Sequence, residues 1–524
     1  MVGRGGCGHA PNWDCANLMV YDDKWDGAGS GCTGGRTPAG TTCQEVHGPV
    51  SSPCDVVGPV GSGQPGGYMH YKYAYALWSG QVDTDSSSYV VPASLALARH
   101  KCYAQKDATA GCSLAEVVAS EQQPAQPVVT TANFYPPLFY VVAGWTLRLS
   151  PDDSGILGGR LVGAVLCSFL VVLAIDRLYR IAGAPTMVAL LLCLTPMAVY
   201  FFGGFNPQGL ELALALLLLG VTAELAVQGK GAGKAGWWLY FLAAAGMAIG
   251  RPFGFVWVPL LVGLVAVPLW ILGHRIRLRV VAVGLVVAIL LGTAWMIGFS
   301  VVDPSRTNPG TTVGAVLSNS YSRFMQFPLE WVGNFGHLDT PLPLAVPALW
   351  FFALGGVLVM GLASTRTPLV VTALLTIPLA VAVALVMEYR TEAGWGWVTI
   401  QGRYVLPFVF AFILLLGFAA DSVRISVASR LVVTLVLIWS VIQVWAMLEL
   451  LRRNMFGQSA NPLSADSSWQ PTPDAWLIVA GTFVCVAGLA WLYRRTSLEV
   501  KGRDLLGSQP GTTGSGQEPV SLGA

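Results

Sequence analysis

Several charged residues lie at the ends of long apolar stretches, where ionisable side chains are expensive. They are Glu388, Arg160 in GGRLVGAVL, Glu211 in FNPQGLE, Arg251 in GRPFGF and Arg403 in IQGRYVLP. Because arginine binds phosphate oxygens in a bidentate fork, the three arginines predict a cationic pocket for a phosphate or pyrophosphate head group. The alternative is that each arginine anchors a helix end by extending its charge to the membrane surface.

The segment NFGHLDTPLP offers a second kind of chemistry, because His337 and Asp339 are two residues apart. Side chains of these types at this spacing can position a metal ion or accept a proton. The Asp-Thr-Pro sequence is also typical of a turn or a helix cap, and this structural interpretation carries equal weight.

A third candidate is His70, which lies in the segment GGYMHYKYAYALWSGQ. Aromatic residues recur there at steps of three and four and predict one stripe on a helix, formed by Tyr68, Tyr71, Tyr75 and Trp78. We expect this helix to lie beside a membrane, with the stripe on the membrane surface.

The composition indicates the elements that must position these residues. Of 524 residues, 54% are hydrophobic and only 11% are charged, whereas soluble domains have about 25% charged residues. An all-α polytopic membrane protein is therefore predicted. The net charge is +2, and no basic run interleaved with aromatic residues is present, which excludes nucleic acid as a partner.

Apolar runs long enough to cross a bilayer predict eleven transmembrane helices. They lie near residues 156–175, 184–202, 207–227, 236–250, 253–272, 278–300, 342–364, 368–388, 403–419, 430–451 and 474–493. Arginine and lysine residues concentrate in alternate loops, which the positive-inside rule places in the cytoplasm. The C-terminus is then cytoplasmic, and everything before residue 156 is expected outside.

This orientation makes the segment 133–149, which has Pro136 and Pro137 near its start, an interfacial or re-entrant helix rather than a span. The predicted domains are an irregular Cys/Gly-rich segment (1–63), an outer loop with juxtamembrane helices (64–155), the transmembrane domain (156–496) and a disordered cytoplasmic tail (497–524). No signal peptide or hydrophobic helix precedes residue 64, so we expect a further span upstream of the first residue.

Seven cysteines precede residue 131, which indicates an oxidising compartment outside the cytoplasm. Cys102 and Cys112 close a short loop and are the predicted disulfide. Because the number is odd, one thiol is left over or pairs elsewhere. These seven cysteines contain no CxxC pair, which argues against a zinc site.

Five segments together resemble a known family: NFYPPLFYVVAG, GGRLVGAVL, CLTPMAVYFFGGFNPQGLE, FGHLDTPLPL and IQGRYVLP. Over about residues 64–450 the chain is similar to an uncharacterised bacterial family of polytopic membrane proteins that is grouped with GT-C-type glycosyltransferases. The resemblance implies juxtamembrane helices over a membrane-embedded cavity that His70 faces. It also implies a lipid-linked sugar phosphate as donor and an acidic residue of the first outer loop as general base or metal contact. In the family an Asp-Glu pair precedes the histidine, whereas this chain has Gly66 and Gly67 before His70.

The resulting hypothesis is a glycosyltransferase of the bacterial plasma membrane that uses a polyprenyl-phosphate sugar in cell-envelope assembly. Its catalytic candidates are His70, His337 and Asp339, and its substrate-binding candidates are Arg160, Asn206, Glu211, Arg251, Gln401, Arg403 and Tyr404. Two alternatives stay open: an inactive lipid-binding or accessory relative, favoured by the missing acidic pair, and a transporter or flippase of envelope precursors. The cofactor is also open, with a divalent metal ion as one option.

Overall fold

The computed structural model describes most of the chain after residue 57. The described residues are 58–59, 67–81, 88–97, 106, 108–113, 119–120, 123–274, 276–299, 310–336, 338–395, 401–423, 428–458, 471–472 and 474–499. All of them belong to the compact unit Val56–Ala524. Of the predicted residues, Cys102 and His337 lie outside the described ones, as do the segment 1–57 and the tail beyond Glu499.

The described part is mostly helical, which confirms the predicted fold class. The helices are α1 (Gly67–Trp78), α2 (Ala93–Ala96), α3 (Leu138–Ala143), α4 (Trp145–Leu149), α5 (Asp153–Tyr179), α6 (Ala184–Cys193), α7 (Pro196–Phe202), α8 (Pro207–Gln228), α9 (Gly233–Ala248), α10 (Gly254–Ile271), α11 (Leu278–Phe299), α12 (Val313–Arg323), α13 (Gln326–Val332), α14 (Ala345–Leu362), α15 (Thr367–Trp395), α16 (Leu406–Ala420), α17 (Ala428–Phe456) and α18 (Ala475–Glu499). Strands are short and pair as β1 (Gly58–Pro59) with β6 (Pro471–Thr472), β2 (Ser88–Val91) with β3 (Gln126–Val129), and β4 (Asn334–Phe335) with β5 (Thr340–Pro341).

Eight helical stretches among the described residues are long and apolar enough to cross a membrane. They are Asp153–Tyr179, Pro207–Ala248, Gly254–Ile271, Leu278–Gly298, Ala345–Leu362, Thr367–Arg390, Gly402–Ala420 and Val433–Phe456. The pair α6 and α7 gives a ninth span if its two helices, bent by 63°, are counted together. The protein is therefore a multi-pass membrane protein.

The predicted number of eleven spans is not confirmed. When α6 and α7 are counted as a ninth span, two further places in the chain account for the difference. Pro207–Ala248 counts as one stretch, although the tight turn Gly229–Ala232 separates α8 from α9 and the two helices pack against each other. The last predicted span corresponds to the shorter apolar helix Ala475–Trp491. Apolar run length identifies each segment but does not decide how the helices divide among full crossings.

Helix α8 is the centre of the bundle, and it packs against α5, α9, α10 and α16. Its side chains from Pro207 to Ala226 are all buried, as expected of a helix that is apolar on every side. Close approach to α5 depends on Gly220, because a Cβ atom there would lie 3.3 Å from the carbonyl oxygen of Ala174. The N-terminus of α8 is held by the Asn206 side chain, which accepts from the backbone N–H of Gln208 at 2.9 Å.

The segment 133–149 forms two short helices, α3 and α4, and is not among the helices able to cross a membrane. Helix α1 packs against both of them. The helix predicted around His70 is therefore present, but its aromatic stripe does not lie on one exposed surface. Tyr71 is buried to 1% exposure, whereas Trp78 is 41% exposed. The prediction of a membrane-facing stripe is wrong for Tyr71, because helical periodicity does not distinguish a lipid surface from a protein core.

Candidate ligand-binding site

A buried ion pair joins α8 to the turn between α9 and α10. The Arg251 guanidinium contacts Glu211 Oε2 through Nη1 at 2.6 Å, and the two side chains are 11% and 1% exposed. The local sequence explains the placement. Glu211 lies one turn after the Asn206-Pro207 start of α8, and Phe253, in the left-handed conformation with φ 67°, precedes the start of α10.

Two arginines share one tyrosine ring in this region. The guanidinium carbon of Arg251 lies 4.9 Å from the centre of the Tyr404 ring, and that of Arg403 lies 5.7 Å from the same ring. The guanidinium carbon of Arg251 also lies 5.8 Å from the centre of the Tyr135 ring, and that of Arg403 lies 5.1 Å from the centre of the Phe201 ring. Such cation–π contacts partly offset the removal of a cation from water. The structure thus brings together Glu211, Arg251, Arg403 and Tyr404, as expected of a single site.

Arg403 is the least compensated charge of this site. It is 3% exposed, and its Nε and Nη1 atoms have no hydrogen-bond partner in the described part of the chain. No carboxylate lies within ion-pair distance of it among the described residues. A buried guanidinium without a partner costs several kcal/mol, so an anionic ligand is the natural complement.

Two buried oxygen atoms of the predicted site also lack partners among the described residues, Glu211 Oε1 and Gln401 Oε1. Both are acceptors that a hydroxyl donor would satisfy. Gln401 immediately precedes the turn Gly402–Val405 that carries Arg403, and the Arg403 carbonyl accepts from Gln208 Nε2 at 3.0 Å. The site therefore offers donors suited to an anion and acceptors suited to hydroxyl groups.

His70 belongs to the same cluster but is engaged within the protein. Its Nδ1 lies 2.7 Å from the Tyr140 hydroxyl, and its ring contacts Tyr135 edge-on at 5.2 Å. Burial, and next the positive charge of Arg251, lower the pKa of His70 to about 3. The imidazole is therefore neutral at physiological pH, and the predicted role of His70 as a catalytic residue stays a prediction.

His70 should make the stability of the protein depend on pH. Its folded pKa lies below the value of about 6.5 in an unfolded chain, so the unfolded state binds more protons between these values and stability falls as pH decreases. We expect the wild type to lose about 2 kcal/mol between pH 7 and pH 5 relative to His70→Gln. Thermal unfolding of both proteins in detergent across this range measures the difference, and parallel curves would contradict it.

Asp339 lies in a neighbouring buried ion pair with Arg453 of α17, at 2.9 Å from Oδ2 to Nη2. Arg453 also donates to the carbonyl oxygens of Ala108 and Lys106, at 2.8 and 3.2 Å. The pair therefore joins the β4–β5 turn, α17 and the loop around residue 108. The Tyr200 hydroxyl, which accepts from Gly336 N–H, lies close enough to Arg160, Arg403 and Asp339 for electrostatic interaction and so links the two ion-pair regions.

The remaining predicted residues have structural contacts. Arg160 Nε donates to the Gly203 carbonyl at 3.0 Å and so holds α5 to the α7–α8 connection. Asn206 caps α8. Cys112 is disulfide-bonded, while its predicted partner Cys102 lies outside the described residues, so the pairing stays a prediction. Among the described residues no group of three His, Cys, Asp or Glu could hold a metal ion, and we assign no step to a metal.

Sequence reasoning missed three residues that shape the site: Glu330, Gln208 and Arg453. Glu330 accepts a hydrogen bond from the Gly402 backbone, Gln208 holds the Arg403 carbonyl, and Arg453 pairs with Asp339. Gln208 lies in the quoted motif FNPQGLE, and this position is a weak indication that it belongs to the site. Glu330 and Arg453 lie outside every motif, and only the folded structure reveals them.

The fold and the site define a class: a polytopic helical membrane protein with a buried, arginine-lined polar site at one end of its bundle. The comparison with protein families is more specific. A family model described as Predicted membrane protein (DUF2142) matches residues 76–412, and the chain belongs to this family. The family resemblance predicted from the five motifs is thereby confirmed.

The other comparisons are less informative. No curated protein matches the chain. Among solved structures, the chain is similar to ArnT from Cupriavidus metallidurans in the apo state, with a TM-score of 0.41 and 14% identity over 85% of this chain and 70% of that one. At this level of likeness the comparison identifies no function.

Proposed function

We propose that this protein is a GT-C-like membrane glycosyltransferase that binds a polyprenyl-phosphate-linked sugar at the Arg403 site. The observation that carries the proposal is the buried Arg403 guanidinium, whose Nε and Nη1 lack partners in the described structure. Charge-assisted hydrogen bonds from arginine to phosphate oxygens are among the strongest that a protein makes. A phosphate head group would satisfy both nitrogens at once.

The neighbouring acceptors support a glycosylated phosphate over a bare one. Glu211 Oε1 and Gln401 Oε1 are buried without donors among the described residues, and the hydroxyl groups of a sugar supply such donors. The site also lies at the ends of membrane-spanning helices, where a head group attached to a long apolar chain can enter while its chain stays in lipid. These features support a lipid-linked sugar phosphate as the substrate class.

In the proposed transfer, an acceptor hydroxyl oxygen forms the new bond to the anomeric carbon. The bond between that carbon and the phosphate oxygen breaks, and its electron pair leaves with the polyprenyl phosphate. Arg403 stabilises the charge that develops on the leaving phosphate. Of the described carboxylates in this region, Glu211 has an oxygen without a donor, and we assign it the acceptor proton. Glu211 and Asp339 each use one oxygen in an ion pair, with Arg251 and Arg453 respectively, but the second oxygen of Asp339 also accepts from the Thr340 hydroxyl.

The proposed orientation places this site on the outer face of the bacterial plasma membrane. The described basic residues of the other end are Arg177 and Arg180 at the C-terminus of α5, Lys230 and Lys234 at the α8–α9 turn, and Arg366 between α14 and α15. This end is opposite to the one that carries Glu211 and Arg403. Short loops rich in arginine and lysine are cytoplasmic. Reactions with polyprenyl-linked donors during cell-envelope assembly would then occur at the outer end.

A second candidate function is lipid-phosphate binding without turnover. It is favoured because His70 and Asp339, two of the predicted catalytic residues, are both engaged within the protein. Gly66 and Gly67 also stand where the resembling family has an acidic pair. In this case Arg403 would hold the same phosphate, and no sugar would be released.

The proposal is tested with decaprenyl phosphate, decaprenol and a panel of decaprenyl-phosphate-linked hexoses and pentoses. We expect the purified protein to bind the phosphate at least tenfold more tightly than the alcohol, because one charged hydrogen bond contributes about 1.5–3 kcal/mol. Release of free decaprenyl phosphate from a glycosylated member that depends on an added hydroxyl acceptor supports transfer, whereas release without an acceptor is hydrolysis. Equal affinity for phosphate and alcohol would overturn the proposal, and movement of labelled lipid across proteoliposomes without an acceptor would identify a flippase.

A further inference from the structure

Glu330 is a buried acidic residue that touches the backbone beside Arg403. It lies on the short helix α13, is 2% exposed, and accepts a hydrogen bond from the Gly402 N–H through Oε2 at 2.5 Å. Gly402 is the residue immediately before Arg403. The carboxylate therefore acts on the turn that presents the guanidinium, although 72 residues separate the two partners in sequence.

The turn is also packed closely onto α13. A Cβ atom at residue 402 would lie 2.7 Å from the Phe327 Cα and closer still to the Phe327 carbonyl oxygen, so no side chain fits there. On the other side of the turn, Gln208 Nε2 donates to the Arg403 carbonyl at 3.0 Å. Buried side chains thus fix the peptide group between Gln401 and Gly402 and the peptide group between Arg403 and Tyr404.

The cost of burying Glu330 indicates that this contact is specific. A carboxylate removed from water needs charged or hydrogen-bonding partners, yet the described part of the chain provides no arginine or lysine within ion-pair distance of it. Burial raises the pKa of Glu330, an effect opposed first by the Gly402 hydrogen bond and then by the charges of Arg403 and Arg323. An apolar residue would fill the space at lower cost, but it could not accept the hydrogen bond from Gly402 N–H.

We propose that Glu330 is a positioning residue, which fixes the turn Gly402–Val405 so that the Arg403 guanidinium faces the phosphate of the ligand. The identity of that ligand rests on the proposed function, whereas the positioning of Arg403 does not. In this arrangement α13 is the support and Arg403 is the residue that contacts the ligand. Glu330 itself touches no substrate.

The binding test compares Glu330→Ala with Glu330→Gln. The glutamine keeps a carbonyl oxygen that can accept from Gly402 N–H, whereas alanine removes the acceptor. We expect Glu330→Ala to weaken decaprenyl phosphate binding about tenfold or more and Glu330→Gln by about threefold or less. In an Arg403→Ala background, Glu330→Ala should cause no further loss. Equal losses in the two single variants, or an additive loss in the double variant, would overturn the proposal.

A second readout does not depend on any ligand. Phenylglyoxal modifies accessible arginines, and mass spectrometry of the full chain reports the rate at Arg403 relative to Arg366, which lies near the opposite end of α16. We expect Glu330→Ala to raise the rate at Arg403 several-fold while the rate at Arg366 is unchanged. Unaltered labelling of Arg403 would overturn the positioning role. If the wild type fails to bind decaprenyl phosphate, the proposed function is wrong, but the labelling still decides the role of Glu330.

Discussion

Replacing Arg403 by methionine should lower the affinity for decaprenyl phosphate by about a hundredfold or more. Two guanidinium nitrogens of this residue lack partners in the described structure, and each charged hydrogen bond to phosphate contributes about 1.5–3 kcal/mol. Methionine keeps most of the apolar volume that packs beside Phe201 and Tyr404. The measurement is equilibrium binding of the purified protein in detergent.

The same substitution should leave the empty protein at least as stable as the wild type. A buried cation without a counter-ion costs free energy, and its replacement by an apolar side chain removes this cost. The midpoint of thermal unfolding should therefore stay constant or rise while binding is lost. A residue that served only the fold would show the reverse, namely a lower midpoint with unchanged affinity.

Arg366→Met is the matched control for this experiment. Arg366 is partly buried and donates to the Phe418 carbonyl at 3.0 Å. This contact lies near the end of α16 that is farthest from Arg403. We expect its replacement to leave decaprenyl phosphate binding unchanged. If both variants lose affinity equally, the loss reflects general damage, and Arg403 is not the phosphate ligand.

Much of this site was predictable because a charged residue within an apolar stretch is costly and is visible in the sequence itself. Arg251, Arg403 and Glu211 each interrupt an apolar stretch, and the structure brings all three together around Tyr404. The sequence does not reveal which of these charged side chains pair with each other. Glu211 pairs with Arg251, whereas Arg403 keeps unpartnered nitrogens, and this asymmetry depends on side-chain distances that only the fold determines.

Other features could not be predicted because they depend on contacts between distant segments. Glu330 lies on a short helix outside any motif, and nothing in its neighbourhood marks it as the partner of Gly402. Tyr71 has the same spacing as the other aromatic residues of α1 but packs inside the protein. Their residue types also made His70 and Asp339 candidates. In the structure, however, His70 is hydrogen-bonded to Tyr140 and Asp339 is paired with Arg453.

Helix α8 carries two buried glutamates that allow a comparison of ion pairs within one element. Glu211 contacts Arg251 at 2.6 Å and Glu224 contacts Arg177 at 3.4 Å, and both glutamate side chains are 1% exposed. Their surroundings differ in one respect. Arg177 also contacts Asp176 at 2.9 Å, whereas Glu211 is the only carboxylate in contact with Arg251 among the described residues.

Glu211→Ala should therefore destabilise the protein by about 3–5 kcal/mol, because it leaves Arg251 buried without a counter-charge. Glu224→Ala should cost clearly less, since Arg177 keeps Asp176. The double variant Glu211→Ala/Arg251→Met should recover most of the loss, because removal of both charges ends the desolvation penalty. The measurement is the thermal unfolding midpoint of each variant in the same detergent. A single variant Glu211→Ala as stable as Glu224→Ala would show that the cation–π contacts with Tyr135 and Tyr404 alone suffice to keep Arg251 buried, and the ion pair would then be free to open for a ligand.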